Sequence, residues 1–533
     1  ILGDWLYEQG NPFAQVQQLE VFEKLKAAVN EGYFEELIRK YLLENPHGCV
    51  LTLVPKKGLA AKREKELEEK LEAYRSSLSE QELNAMVEKT KALEAYQEAE
   101  EDQEALECIP MLKRSDIKKE AAKFVNEELS VDDSLFLYHD VCTNGIGYVD
   151  LMFKTDSIAP EQIPYLGLLK SVLGYVDTKD YTYGELFNEI NANTGGINCG
   201  VEVFDRADST EEFQAMFSVR GKALYTKMDF LFKMIQEILN TSRLEDTKRL
   251  YEIIASVKSR AQVSLTGAGH STAVLRATAY SSPMAAFQDE MAGIGYYQFI
   301  EKLEKDFDQR KDETVEELRK LMKEILRPEN FMISYTGEKE SLETVKKLAA
   351  SVKAGLCTEP AEKSKDKLIC TKKNEGFKTS GQVQYVAQTG NFKKKGLEYT
   401  GALEILKVIL SYDYLWQNVR VKGGAYGCMS SFNRIGEGYL VSYRDPNLEK
   451  TMEIYEGVVD YLKNFNVDDR DMNKFIIGTI SNIDRPMNPA AKGSRSMNLY
   501  MNHVSAEMIR EERNQILDAQ QADIRALADV LQA

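Results

Sequence analysis

Two stretches of the chain repeat the same succession of apolar and polar positions. Each begins with an alternating segment, "IGYVDLMF" (146–153) or "GQVQYVAQ" (381–388), which is typical of a half-buried strand. An apolar helix, a Gly-Gly segment, a second strand and a long helix follow in both. This order predicts an α+β fold in which each copy forms an antiparallel-rich sheet layered with helices. The second strands are "FQAMFSVRG" (213–221) and "EGYLVSYRD" (437–445), and the long helices are "MDFLFKMIQEIL" (228–239) and "MEIYEGVVDYL" (452–462).

The two copies also match at the level of single residues. "LLKSVLGY" from residue 168 matches "ILKVILSY" from residue 405, an offset of 237 (405 − 168). The offset falls to 228 (423 − 195) at "GGINCG" and "GGAYGC", to 224 (442 − 218) at "SVRGKAL" and "SYRDPNL", and to 223 (476 − 253) at "IIASV" and "IIGTI". Loop deletions would move the offset in one direction, so the matches indicate an internal duplication. Two such domains side by side would enclose a concave surface.

The segment 56–108 differs in composition from the rest of the chain. Glu, Lys, Ala and Leu dominate it, and apolar residues such as Leu67, Leu71 and Tyr74 form narrow stripes at helical spacing. Ser79-Glu-Gln-Glu82 fits a capping box, so a second helix is predicted to begin there. We expect an antiparallel helical hairpin that links the parts on either side. A partner-binding coiled coil is the weaker alternative, because neither arm sustains heptads for long.

These patterns divide the 533 residues into four parts. Residues 1–55 precede the hairpin of residues 56–108. Two longer domains follow at 109–355 and 375–533, and each contains one copy of the repeat. The Lys-rich "TEPAEKSKDKLICTKKNEG" (358–376) between them has the composition of a loop.

Charge and hydropathy exclude two classes of partner. The net charge of −17 argues against a nucleic-acid backbone, which needs a clustered basic surface, and leaves basic peptides open. Apolar runs such as "LEILKVIL" (403–410) are well short of the roughly 18 residues that span a bilayer. The opening "ILGDWLYEQG" has no initiator Met and no signal-peptide pattern, so we expect no secretory signal and a fragment of something longer.

Histidines and cysteines limit the metal chemistry of the chain. The histidines are His47, His139, His270 and His503, and the closest pair lies 92 residues apart (139 − 47). No helix can place two of them one turn apart, and H-E-x-x-H and H-x-x-E-H are both missing. The seven cysteines are scattered without a C-x-x-C, which favours free thiols in a reducing compartment. We therefore expect no zinc held by this chain alone.

Two histidines have neighbours that invite a catalytic interpretation. His270 lies in "TGAGHST" (266–272), which reads as a Gly-rich loop, but no G-x-S-x-G elbow or acid partner accompanies it. His139 precedes Cys142 by three residues near a strand end, so the two side chains should point to different faces. We favour a solvated loop histidine in the first case and no nucleophilic catalysis in the second.

The segment "RVKGGAY" (420–426) distinguishes the second copy from the first. At the offset of 228, the first copy has Ala192 in place of Arg420 and Asn198 in place of Tyr426, whereas the Gly-Gly pairs coincide. The glycines are therefore predicted to serve the fold, through close backbone approach or positive φ. Taken alone, the segment also fits a simple turn with an exposed arginine and a packed tyrosine.

The repeated domains, the hairpin and "RVKGGAY" together resemble the pitrilysin-like, or insulinase-type, zinc metallopeptidases, and most closely their presequence-protease branch. Members of that branch have four homologous domains in two halves, joined by a helical hairpin and closing like a clamshell around a peptide chamber. The resemblance covers essentially the whole chain and places it in the C-terminal half. Residues 1–55 look like the tail of the first half and its last strand.

The resemblance implies a function for the full-length protein and a role for this chain. The family's zinc ligands belong to its first domain, so they are expected in the N-terminal half and none is expected here. By motif match, Arg420 and Tyr426 would be catalytic and substrate-binding residues, with Gly423 and Gly424 beside the substrate. They would bind a peptide and stabilise an oxyanion, while this fragment alone would be inactive. The implied partners are peptide substrates and the N-terminal half, in the cytoplasm or in an organelle matrix.

Two other interpretations remain open at the level of sequence. One is a non-catalytic peptide-binding or scaffold protein that keeps the fold without zinc, which an upstream half lacking H-x-x-E-H would favour. The other is an unrelated α/β binding module, which would be favoured if the two repeats did not superpose.

Overall fold

A computed structural model describes residues 2–7, 11–99, 102–360, 364, 366 and 368–532. They form two compact units, of which the first ends at Pro110 and the second begins at Met111. In the Lys-rich segment 358–376, residues 361–363, 365 and 367 lie outside the described part, and the others form neither helix nor strand. The boundary between the two repeat domains stays a prediction, because the second unit contains both.

The first unit is helical, and its longest helices are α4 and α5. The predicted capping box is confirmed: the Ser79 hydroxyl accepts a hydrogen bond from the Glu82 amide, and a Glu82 carboxylate oxygen accepts one from the Ser79 amide. Leu78 and Ser79 are extended, which ends one helix and begins the next. The antiparallel pairing of the two arms stays a prediction. The helices are α1 Leu2–Tyr7, α2 Leu19–Ala28, α3 Tyr33–Ile38, α4 Leu59–Ser77, α5 Glu80–Glu98 and α6 Gln103–Glu107.

The segment "VLTLVP" (50–55) forms no strand in the structure, although the resemblance implied one. Its apolar side chains are exposed, Val50 to 96% and Leu53 to 85%. A strand requires a neighbouring backbone to hydrogen-bond with, and no described residue pairs with this segment.

The second unit contains a six-stranded sheet built from the first copy of the repeat. Its strand order is β1-β2-β6-β3-β5-β4, and of its described pairings only β2–β6 is parallel. The predicted strand 146–153 is confirmed as β3, and the predicted strand 213–221 lies within β5. The strands are β1 Glu127–Val131, β2 Ser134–Asp140, β3 Ile146–Lys154, β4 Ile197–Asp205, β5 Phe213–Leu224 and β6 Phe331–Gly337.

The second copy forms a three-stranded sheet in the order β7-β9-β8, which repeats the order β3-β5-β4. These strands are β7 Ala387–Asn391, β8 Gly427–Phe432 and β9 Glu437–Tyr443. The first strand begins later than the alternation in 381–388 predicted, because Gln384 makes only an isolated bridge to Asp445. The antiparallel-rich α+β class is confirmed.

The helices follow the predicted order in both copies. The predicted helix 228–239 lies within α9, and the predicted helix 452–462 is divided between α17 and α18 at Gly457. In the first copy they are α7 Ile163–Val172, α8 Tyr183–Asn193, α9 Met228–Thr241, α10 Thr247–Gly267, α11 Gly269–Thr278, α12 Pro283–Ala292, α13 Ile294–Lys305, α14 Phe307–Ile325 and α15 Lys339–Ala354. In the second they are α16 Ala402–Tyr412, α17 Glu449–Glu456, α18 Val458–Lys463, α19 Asp469–Ile483, α20 Pro489–Met501, α21 Ala506–Asp518, α22 Gln521–Ala526 and α23 Ala528–Gln532.

The packing faces of the strands correct the alignment of the two copies by one residue. Cys199 and Phe217 lie in the core that includes α7, whereas Cys428 and Leu440 lie in the core that includes α16. Because side chains alternate along a strand, equivalent faces must superpose, which requires offsets of 229 (428 − 199) and 223 (440 − 217). The sequence comparison gave 228 and 224. The second copy therefore contains one extra residue between the Gly-Gly pair and β8.

The two copies exchange helices. Helix α11 of the first copy packs on β7 and β9 of the small sheet, and α20 of the second copy packs on β2, β4 and β6 of the large sheet. At the latter contact, Met497 meets Met152, Met216 and Met332 in an apolar cluster. Each sheet is thus covered on one face by its own helices and on the other by a helix from the other copy.

Candidate functional site

Arg420 lies in a turn of π-helix, Trp416–Val421, that follows α16. The Lys422 amide donates to the Gln417 carbonyl oxygen at 2.9 Å, five residues back. The wider turn places the Arg420 guanidinium over the Trp416 ring, 4.0 Å from its centroid. A cation held over an indole face is attracted by the ring's quadrupole, so this contact orients Arg420 without neutralising its charge.

The Gly-Gly pair serves the backbone in both copies, as predicted. The second glycine has positive φ in each, +107° at Gly196 and +81° at Gly424. The first glycine has no room for a side chain: a Cβ at Gly195 would lie 2.6 Å from the Lys222 side chain, and one at Gly423 would collide with the Val419 carbonyl oxygen. Glycine is therefore required at these positions on steric and conformational grounds.

A buried carboxylate fixes the other side of the turn. The Asn447 amide group donates to the Gly423 carbonyl oxygen at 2.6 Å. Asp445, which is fully buried, accepts hydrogen bonds from the Asn447 backbone amide at 2.8 Å and from the Thr451 hydroxyl at 2.7 Å. These bonds hold the Gly-Gly turn against the segment after β9, and the position of the following residue is fixed as a result.

Tyr426 follows that turn, and its ring is held from two sides. The Tyr426 amide donates to the Tyr443 carbonyl oxygen at 3.0 Å, and the two rings meet edge to face with centroids 5.8 Å apart. The Arg420 guanidinium carbon lies 5.9 Å from the Tyr426 ring centroid. The Tyr426 side chain is nevertheless 66% exposed. The structure therefore brings the two predicted site residues together on an accessible surface.

The pair offers hydrogen-bond donors to an oxygen. A phenol donates one hydrogen bond, and a guanidinium donates several in a fixed planar arrangement. Donors that are already in place stabilise an oxygen on which negative charge develops. The arrangement is suited to binding a carbonyl group and stabilising its oxyanion.

The comparison with protein families decides the assignment. Residues 53–303 match the family described as associated with the peptidases of M16 subfamily C, and residues 374–533 match the family described as PreP C-terminal domain. The chain belongs to the presequence-protease branch of the M16 peptidases. The resemblance predicted from the sequence is therefore confirmed.

Two relatives match along the whole of this M16 chain. Protein HypA of Clostridium perfringens is 37% identical over 531 residues, which cover 100% of this chain and 54% of that protein. Presequence protease 1, chloroplastic/mitochondrial, of Arabidopsis thaliana is 29% identical over 540 residues, which cover 99% of this chain and 49% of that protein. The chain spans about half the length of the curated relatives it matches.

A solved structure shares the fold. A conserved protein from Enterococcus faecalis V583 superposes with a TM-score of 0.53 at 12% identity, covering 76% of this chain and 96% of that one. At this identity the likeness concerns the M16 fold alone.

His270 corrects one sequence-based expectation for this M16 chain. It lies in the first turn of α11 and not in a loop, because α10 and α11 follow each other with only Ala268 between them. Gly269 is used for close packing, since a Cβ there would collide with the Tyr385 ring. The His270 ring meets Tyr443 edge to face at 4.9 Å, and its Nδ1 atom is buried with no hydrogen-bond partner among the described residues. Burial also lowers its pKa below the usual 6.5.

The other histidine with a cysteine neighbour has a structural role in this M16 chain. His139 is fully buried, with its ring nitrogens 2.7 Å from the Val125 carbonyl oxygen and 2.9 Å from the Ser334 hydroxyl. Cys142 is exposed and free, like the other exposed cysteines Cys49 and Cys108. All seven cysteines lie in the described part of the chain, and all are free thiols.

Trp416 and Tyr443 are the site residues that sequence reasoning missed in this M16 chain. Trp416 precedes Arg420 by four residues, so helical spacing could have indicated the stacking contact. Tyr443 lies at the end of a different strand, and its contact with Tyr426 depends on the β8–β9 register. Neither signal appears in "RVKGGAY" itself.

Proposed function

We propose that this chain is the C-terminal half of a zinc-dependent endopeptidase that degrades unfolded peptides inside a clamshell chamber. Arg420 would bind the peptide, and Tyr426 would stabilise the oxyanion of the scissile carbonyl. The backbone at Gly423 and Gly424 would lie beside the substrate. Membership of the M16 presequence-protease branch supports the reaction class, and half-length coverage of the relatives supports the division into halves.

The observation that carries the proposal is the exposed pairing of Arg420 and Tyr426. Surface arginines are ordinarily solvated and tyrosines ordinarily pack. Here the arginine is oriented by an indole, and the tyrosine ring is held by Tyr443 while most of its side chain stays accessible. Such fixed donors can act on a bound carbonyl without reorganising.

The metal is not assigned to this chain. Among the described residues, no group of three or more His, Cys, Asp and Glu side chains could hold a metal ion. The donor set here therefore does not fit zinc, and the proposal places the zinc ligands in the N-terminal half of the full-length protease. What this chain contributes is restricted to the binding of substrate and the stabilisation of charge.

Exposed apolar side chains in the first unit support the N-terminal half as a partner. Trp5 is 69% exposed and Tyr7 is 87% exposed, and the extended segment 50–55 is also uncovered. Several exposed aromatic and aliphatic groups close together in sequence are typical of a surface that another chain segment covers. The expected compartment is the cytoplasm, or an organelle matrix in a eukaryote.

Replacing Tyr426 by phenylalanine in the full-length protease tests the proposal. The ring contact with Tyr443 is kept, and only the donor is lost. We expect kcat on an unstructured peptide to fall by about a hundredfold, with KM changed by no more than about threefold, because the bond forms mainly in the transition state. Steady-state kinetics measure both quantities.

Tyr412→Phe is the matched control, since Tyr412 is also exposed and lies at the end of α16. Its kinetics should equal those of the unmodified protease. An unchanged kcat in Tyr426→Phe would remove Tyr426 from the mechanism. Peptidase activity in the purified C-terminal chain alone would overturn the division of the site between two halves.

A further inference from the structure

A cavity of about 410 Å³ lies between the exchanged helix α11, its neighbour α12 and the small sheet. It is large enough to hold the side chain of another molecule. The residues around it are His270, Ser271, Val274, Leu275, Thr278, Ala285, Gln288, Met429, Ser431, Asn433, Glu437, Gly438, Tyr439 and Val441.

Two buried polar atoms in this cavity have no partner among the described residues. They are Oε1 of Glu437 and Nδ1 of His270. The other carboxylate oxygen of Glu437 accepts a hydrogen bond from the Asn433 side chain at 3.0 Å, which fixes the carboxylate in place. Buried polar groups are almost always hydrogen-bonded, so two unpaired acceptors around one cavity indicate that a donor from outside belongs there.

The charge and shape of the cavity define that donor. Among the described residues that line it, Glu437 is the only charged one, and no lysine or arginine there compensates its charge. Arg434, four residues from the lining residue Gly438, is already paired with Glu512 at 2.6 Å. Val274, Leu275 and Met429 supply apolar wall. Apolar walls leading to a carboxylate are complementary to a long aliphatic stem that ends in a cation.

The fold itself does not require this space. Helix α20 makes the corresponding contact with the large sheet, and there Met497, Met152, Met216 and Met332 fill the interface with apolar side chains. The contact of α11 with the small sheet instead carries a carboxylate, an imidazole and several hydroxyls. The difference between two related interfaces indicates a specific use for the polar one.

The cavity is close to the proposed site. His270 touches Tyr443 with ring centroids 4.9 Å apart, and Tyr443 touches Tyr426 at 5.8 Å. An extended peptide advances roughly 3.3 Å per residue, so a side chain about three residues from the carbonyl bound at Tyr426 could reach the cavity.

We propose that this cavity is a subsite for an arginine or lysine side chain of the peptide substrate. Glu437 pairs with the cationic group, and His270 accepts a hydrogen bond through Nδ1. The aliphatic stem lies along Val274, Leu275 and Met429. This subsite rests on the proposed peptidase function and specifies the class of peptide that the protease prefers.

A matched set of peptides tests the subsite in the full-length protease. Each peptide contains one arginine, moved one position at a time through a neutral sequence, and each has a twin with citrulline, the neutral analogue. At one position we expect kcat/KM for the arginine peptide to exceed that for its twin by about tenfold, as for a charge-assisted hydrogen bond. In Glu437→Gln this ratio should fall towards one.

Two further variants make the result decisive. Glu449→Gln, an exposed glutamate at the start of α17, should keep the ratio. Ser431→Lys places a tethered ammonium on the cavity side of β8, diagonal to Glu437 across the strand pair, and should abolish the preference by occupying the subsite. A ratio that stays the same in Glu437→Gln and Ser431→Lys, with both proteins folded, would overturn the proposal.

Binding separates failure of the subsite from failure of the proposed function. If the full-length protein cleaves none of the peptides, the peptidase proposal fails, and equilibrium binding of labelled arginine and citrulline peptides still tests the subsite. Agmatine, a free guanidinium compound, tests a free cation as the occupant. Weak competition with arginine peptides supports a side-chain subsite. Tight agmatine binding without any preference among peptides would assign the cavity to a free cation and overturn the proposal.

Discussion

Single residues in the Gly-Gly turn have separable roles. Gly423 is required for space, because a Cβ would collide with the backbone carbonyl of Val419. Gly424 is required for conformation, because its φ is +81° while its nearest neighbour beyond the adjacent residues, a Pro446 side-chain carbon, is 3.6 Å from an ideal Cβ. The two glycines should therefore respond differently to the same substitution.

Alanine substitutions test this difference. Gly424→Ala should lower the free energy of unfolding by about 1 kcal/mol through left-handed strain. Gly423→Ala should lower it by about 3 kcal/mol, because the Val419 backbone must move. Gly390→Ala is the control, since no described atom lies within 4 Å of an ideal Cβ there. Denaturant unfolding measures all three, and equal losses at Gly423 and Gly390 would contradict the steric argument.

His139 should make stability depend on pH. Burial lowers its folded-state pKa below the usual 6.5, so the folded protein binds its proton less readily than the unfolded chain does. Its contribution to stability is present above pH 6.5 and is lost as the pH falls from 6.5 towards the lowered folded-state pKa. Unfolding free energies measured across this range in the wild type and in His139→Gln should converge at low pH. Parallel curves would exclude His139 as the titrating group.

At the scale of elements, the sequence predicted the order of strands and helices well. Alternation located β3, β5 and β9, and the capping box located the start of α5. Sequence matching could not place the extra residue before β8, because the glycines align equally well on either side of it. That residue became evident only from which strand faces pack against α7 and α16.

The start of α5 offers a test at this scale. Ser79→Ala removes the hydroxyl that accepts the Glu82 amide proton, and it should destabilise the first turn by about 1 kcal/mol. Hydrogen exchange of the α5 amides should accelerate accordingly. Ser77→Ala is the control, because its hydroxyl bonds to a carbonyl within α4. Equal exchange in both variants would argue that neighbouring contacts, and not the cap, hold this helix end.

For the whole molecule, residues far apart in sequence decide what the site can do. "RVKGGAY" contains Arg420 and Tyr426, and the sequence was sufficient to propose them. The contacts that orient the pair come from Trp416 and Tyr443, and the neighbouring cavity depends on a helix from the first copy. No local pattern announces such contacts, because they arise from the way the two copies pack.

The exchange of α11 and α20 also bears on how a duplicated protein can diverge. Each copy supplies part of the other's core, so neither could be lost or replaced without damage to its sibling. The two halves of the duplication are therefore inherited as one unit. Under that constraint, new chemistry arises by changing one of two related surfaces while its counterpart preserves the fold. Methionines remain at one exchanged contact, and a carboxylate has entered the other.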